Sequence, residues 1–189
     1  MEIIKKIWTC ILSFLLVAPS SVAQVQMAVV SDVHVMSPSL LKEDGKAFSE
    51  YISQDRKMLR ESTSLLSAFT DSILHSSVKY LLIPGDLTKD GELVSHRYLI
   101  DNCLSRLKDA GITILVVPGN HDVNNPHAVE YQGDNKTRVA TISRSDFAQI
   151  YNDYGYGQAI ARDTASLSYV YQLTPRLRIL ALDATESDQ

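Results

Sequence analysis

The sequence is short of cysteine and of positive charge, and each shortage closes off a class of protein. Two cysteines, Cys10 and Cys103, cannot staple a disulfide scaffold. Lys and Arg number 18 against 22 Asp and Glu, a formal net charge of -4. That balance offers no basic groove for a phosphate backbone, so nucleic acid is not an expected partner. No Gly-x-Ser-x-Gly turn occurs, which removes the usual nucleophile elbow of a serine hydrolase. No stretch approaches the roughly 20 apolar residues that a membrane-spanning helix needs. The 189 residues are enough for one sizeable core.

The first 23 residues read as a secretory signal peptide. Lys5 and Lys6 give a positive start, Ile7 to Val17 is apolar except for Thr9 and Ser13, and Ser21-Val22-Ala23 ends in small residues. Cys10 lies inside the apolar run, which argues against a lipid-modified cysteine. The expectation is export to the periplasm or the extracellular space, with no stable membrane anchor and residues 24-189 forming one domain. Cys103, on the apolar face of an expected helix, reads as a small buried hydrophobe.

Three short apolar runs, Val25 to Ser31, Tyr80 to Ile83 and Ile112 to Val117, read as buried strands. Helical periodicity separates them. Leu59, Leu66, Phe69 and Ile73 mark a helix over about 55–77, and Leu93, Leu99, Cys103, Leu104 and Leu107 mark one over about 92–110 before Gly111. This β-α-β-α-β order implies parallel strands with right-handed crossovers, an α/β fold. The polar segment 124–144 reads as an irregular loop, Ser145 as the cap of a short helix to about Tyr154, and 167–173 with 177–182 as a hairpin.

Each parallel strand runs into metal-binding residue types: Asp32-Val33-His34, Gly85-Asp86 and Gly119-Asn120-His121-Asp122. The carboxyl ends of neighbouring strands in such sheets face one crevice, so these residues converge. Carboxylates, an imidazole and an amide gathered there repel and desolvate badly unless cations sit among them. A nitrogen and oxygen donor set without thiolate favours manganese, iron or zinc. Singly, the motifs are also ordinary turn chemistry, and a loop cap is the lesser alternative for Asp122. His96, on an apolar helix face, is either a satisfied buried histidine or a support to the crevice. His127, in the polar loop, is a further group within reach of a substrate.

Together, in this order at strand ends, the motifs resemble those of the calcineurin-like metallophosphoesterases. The stretch Gly85-Asp86-Leu87-Thr88-Lys89-Asp90-Gly91-Glu92 is most similar to secreted and bacterial phosphodiesterase-type members. The resemblance implies a β-sandwich flanked by helices (α/β/β/α) and hydrolysis of phosphate esters by a metal-bound hydroxide at two divalent or trivalent ions. It makes Asp32 and His34 ligands of one metal, Asp86 the bridging carboxylate and Asn120 a ligand of the second. His121 would face the substrate and protonate the leaving oxygen, with Asp122 accepting a hydrogen bond from its other ring nitrogen. The substrate would be a small phosphate ester or a lipid headgroup.

The resemblance also implies three later histidines, one isolated and two in a Gly-His-x-His turn. This sequence has five histidines, the last being His127. The expectation is therefore a chain that stops before its remaining ligands and, as given, is inactive. The rival reading is a non-catalytic metal- or phosphate-binding module that never had them.

Overall fold

The computed structural model describes residues 25–185. The signal-like segment with Cys10 lies outside the described residues. Among the described residues nine strands form three sheets: β1 (Met27–Val29), β2 (Leu41–Glu43), β3 (Tyr80–Pro84), β4 (Thr113–Val117), β5 (Val129–Gln132), β6 (Asn135–Arg138), β7 (Ala161–Arg162), β8 (Tyr169–Thr174) and β9 (Leu177–Ala181). The first sheet, in the order β1-β3-β4, is parallel throughout, as the three apolar runs required. β3 is its central strand, so the loop after β3 lies between the other two. The third sheet, β7-β8-β9, is antiparallel and contains the expected hairpin.

The crossover from β1 to β3 carries α1 (Lys46–Gln54) and α2 (Ser62–Leu74). The helix expected over about 55–77 therefore starts later, because residues 55–61 satisfy their polar groups as turns. Lys57 N donates to Asp55 Oδ1 (3.0 Å), and both the backbone N–H and the hydroxyl of Ser62 donate to Leu59 O (3.4 and 2.9 Å). The β3 to β4 crossover is α3 (Leu93–Leu99), a π-helical turn (Ile100–Leu104) and α4 (Ser105–Asp109). Its apolar stripe is buried as expected, and Cys103 is buried with Leu99, Leu104 and Leu107.

Two corrections concern the polar half. Segment 124–144 contains the β5-β6 hairpin, which joins β2 as a second sheet. Every residue of β6 is exposed, so no apolar alternation marks it. The next helix, α5 (Arg144–Ile150), is capped by Ser143 rather than Ser145. The Ser143 hydroxyl accepts from Asp146 N, while the Asp146 side chain accepts from Ser143 N.

The main apolar core joins Leu81, Ile83 and Val116 of the first sheet to the α3–α4 stripe and to Leu167 and Tyr169. The Tyr169 hydroxyl donates to Val116 O (3.0 Å), tying the antiparallel sheet to the parallel one. The architecture is the expected α/β class, with two sheets and helices around a shared core. A smaller core of Met36, Leu40, Ala47, Phe48, Leu59 and Tyr131 holds α1 against the second sheet.

Candidate metal centre

The strands end, but their pairing continues into the loops. Asp32 N donates to Gly85 O (3.3 Å), His34 N to Asp86 O (2.9 Å) and Val35 N to Leu87 O (3.0 Å), and Lys89 N returns a bond to Val35 O (3.1 Å). The Asp-x-His segment is thus laced along the Gly-Asp segment. This lacing holds Asp32, His34 and Asp86 at φ values of 56°, 42° and 46°. Left-handed backbone is costly for residues with a Cβ, and clusters of it mark sites where side-chain direction is over-determined by the surroundings.

The result is a compact donor set. One ligand atom each from Asp32, His34 and Asp86 lies within 4.8 Å of the others. His34 Nε2 is 3.9 Å from Asp32 Oδ1 and 3.7 Å from Asp86 Oδ2. On the other side of the ring, His34 Nδ1 is 3.3 Å from Thr88 O, so Nδ1 carries the proton and Nε2 keeps its lone pair for a cation. Burial, and then the charge of Lys57, push His34 below its ordinary pKa, which favours the neutral, ligating form. Two carboxylates and a neutral imidazole fit a hard or borderline divalent ion well.

The third loop closes over this group. His121 N donates to Asp86 Oδ1 (3.1 Å), and Gly119 packs so closely that a Cβ there would stand 2.1 Å from the same oxygen. Asn120 is exposed at the same place. It lines a cleft of about 700 Å³ with Asp32, Gly85, Asp86, Gly119, Arg144 and Thr185. The His121 ring meets the His34 ring edge to face, with centroids 5.2 Å apart. The three motifs therefore converge as the topology required. His127 stays apart: it is exposed, does not line that cleft, and its backbone N–H donates to Asn125 Oδ1 (2.9 Å).

One expected contact is absent and another takes its place. Asp122 is fully buried and spends its carboxylate on backbone. Oδ1 accepts from Thr88 N and Thr88 Oγ1 (both 2.9 Å), and Oδ2 from Leu87 N (3.0 Å) and Gly119 N (2.8 Å). It locks the Gly-Asn-His-Asp loop to the Gly-Asp loop and makes no bond to the His121 ring. Burial pushes it up to about 6, although all four donors favour the carboxylate.

The partner of His121 is Asp90, whose Oδ1 lies 2.9 Å from His121 Nδ1. That contact requires a proton on Nδ1. Lys57 Nζ, 3.3 Å from the same nitrogen, is then a neighbouring charge rather than a hydrogen-bond donor to it; it donates to Lys89 O (3.2 Å) instead. The bond to Asp90 raises His121 above its ordinary pKa, with burial and Lys57 working against it. Asp90 is raised by burial but pulled down to about 2 by the His121 hydrogen bond and by Lys89. Asp90 sits in a stretch the sequence singles out, yet nothing in its spacing shows the pairing. Lys57 carries no sequence signal at all.

His96 proves to be a satisfied core histidine with a supporting role. It is fully buried, with Nδ1 2.8 Å from the Tyr151 hydroxyl and Nε2 2.9 Å from Asp122 O. The arrangement that reconciles both contacts has Nε2–H donating to the carbonyl and Nδ1 accepting from tyrosine. Tyr151, Tyr154, Tyr156 and Tyr169 are buried in the core and edge no pocket near the motifs.

The calcineurin-like phosphoesterase family matches residues 25–179, most of the chain and all three motif loops. The chain belongs to this family, whose members are phosphoester hydrolases. No curated protein matches the chain.

Proposed function

We propose that this protein is an exported, metal-dependent hydrolase of phosphate esters working through a dinuclear centre. The observation that carries the reading is the convergence of Asp32, His34 and Asp86 at left-handed backbone positions, with His121 directly above Asp86. Asp32, His34 and Asp86 would hold one ion, and Asp86 with Asn120 would contribute to a second. Bound ions of the manganese, iron or zinc type supply an activated water and neutralise charge on the phosphoryl oxygens.

The chain's own residues do the rest. The carbonyl of Thr88 fixes the His34 tautomer, so that ring approaches a cation through Nε2. Asp90 holds the His121 Nδ1 proton, leaving Nε2 as the nitrogen that meets substrate. Asp90 also favours the imidazolium form, which can donate a proton to the leaving oxygen. The substrate class we propose is a small phosphate ester or a lipid headgroup, since the acidic chain offers little to a nucleic acid.

The test is hydrolysis of bis(p-nitrophenyl) phosphate and p-nitrophenyl phosphate by the full-length protein with manganese, before and after Asp86→Ala. Metal-dependent turnover lost in the variant is the expected result. Undiminished turnover in Asp86→Ala removes the reading, and metal binding with no turnover in the parent points instead to a binding module.

A further inference from the structure

Lys89 is an expensive residue to place where it is. Its side chain is completely excluded from solvent, with Nζ 2.5 Å from Asp90 Oδ2 and 3.0 Å from Glu92 Oε1. The ammonium also lies 4.7 Å from the centre of the Tyr51 ring and 5.6 Å from that of Tyr131. A buried ion pair contributes little net stability, because desolvation cancels most of the attraction. What such a pair does well is fix direction.

The direction fixed here is that of Asp90. Its Oδ2 is taken by Lys89 Nζ and by the Tyr51 hydroxyl (3.1 Å), and its backbone N–H donates to Glu92 Oε2 (3.2 Å). Oδ1 then faces His121 Nδ1 at 2.9 Å, with Lys57 Nζ further off at 3.8 Å. Gly91, at a φ of 73°, lets the chain turn between the two acids, and a Cβ there would meet His121 O at 2.9 Å. Tyr51 comes from α1 and Tyr131 from β5, so the second sheet and its helix wall in the ammonium.

We propose that Lys89 is a positioning residue for the phosphoester hydrolysis described above: it clamps one oxygen of Asp90 so that the other orients the His121 ring. The proposal rests on that functional reading. It assigns the small second sheet a part in the chemistry, as the wall that keeps the clamp dry.

The experiment uses the full-length protein with manganese and bis(p-nitrophenyl) phosphate. Lys89→Met is made alone and together with Glu92→Gln, which restores charge balance where the single variant fails to fold. The expected result is a kcat lowered tenfold or more, a KM within twofold of the parent, and unchanged manganese binding by calorimetry. Added to Asp90→Asn, the change should cause no further loss, since both act on one ring. Unchanged kcat, or losses that multiply with Asp90→Asn, overturns the proposal while leaving the phosphoesterase reading intact. Absence of turnover in the parent defeats that reading instead. Imidazole NMR then decides the clamp: a slowly exchanging His121 Nδ1–H signal present in the parent and lost in the Lys89 variants supports it, and retention of that signal overturns it.

Discussion

Asp90 Oδ1 lies 2.9 Å from His121 Nδ1, while the carboxylate of Asp122, the next residue in the chain after His121, bonds to Leu87 and Thr88 of another loop and to Gly119 N of its own. The two aspartates therefore separate by experiment. Asp90→Asn keeps the volume but weakens the hold on the ring and its positive form. It is expected to lower kcat about 100-fold, the size of one general acid–base contribution, with manganese stoichiometry unchanged. Steady-state kinetics beside metal analysis check this, and a wild-type kcat would remove Asp90 from the mechanism.

Asp122→Asn should behave quite differently. The amide keeps one acceptor oxygen but turns an NH2 group towards two donors, so two buried contacts become repulsive. A loss of about 2–4 kcal/mol of stability is expected, read as a lower midpoint in urea. A variant as stable as the parent would show that the loop lock contributes little.

How far the sequence reaches is visible in these same residues. The apolar runs before Asp86 and Asn120 are legible because a buried parallel strand needs apolar residues on both faces, whereas the run before Asp32, expected to be buried, forms the outer strand of that sheet with Val29 exposed; strand order then brings the motifs together. The assignment of Asp122 to His121 fails because adjacency in sequence says nothing about side-chain direction around a loop. Asp90 reaches the ring only because Gly91 turns the chain and Lys89 is folded inward. The β5-β6 hairpin is illegible for another reason. Its outer strand, Asn135 to Arg138, has no buried face, so it carries no period to read.

Gly119→Ala probes the closeness of the loops. The added Cβ would sit 2.1 Å from Asp86 Oδ1 and 2.2 Å from Asp86 N, an overlap that only movement of the loop carrying Asp86 relieves. If Asp86 holds the cation as proposed, displacing it and its surroundings should cost about 10–100-fold in metal affinity. Calorimetric titration with manganese should show a loss of about that size, and an unchanged affinity would mean that the two loops part without strain.

His96 predicts a pH dependence of stability. Burial lowers its folded pKa to about 4, whereas an unfolded histidine titrates near its ordinary 6.5. Between those values the unfolded chain binds a proton that the folded chain does not, so stability falls as the pH drops through this window. The slope from this one group is roughly 1.4 kcal/mol per pH unit. Thermal melts of the parent and of His96→Gln at pH 7 and pH 5 test it. The variant should be less stable at pH 7 but lose less on acidification, and parallel losses in both proteins would assign the effect elsewhere.

Asp86→Asn separates the two jobs proposed for the central carboxylate, ligand and fold element. The amide can still accept from His121 N through its oxygen, so the loop contact at 3.1 Å survives. In metal-free protein the substitution also removes a negative charge close to Asp32 and within the same 4.8 Å cluster, which relieves repulsion. The metal-free variant is therefore expected to melt no lower than the metal-free parent. With manganese the order reverses. A cation bound only by the folded state stabilises it by about 2.7 kcal/mol at a free concentration 100 times its dissociation constant, and a chelator abolishes that gain. The parent should show this rise in melting temperature and the variant little of it. An equal rise in both would place the cation away from Asp86, and with it the chemistry proposed for the three converging loops.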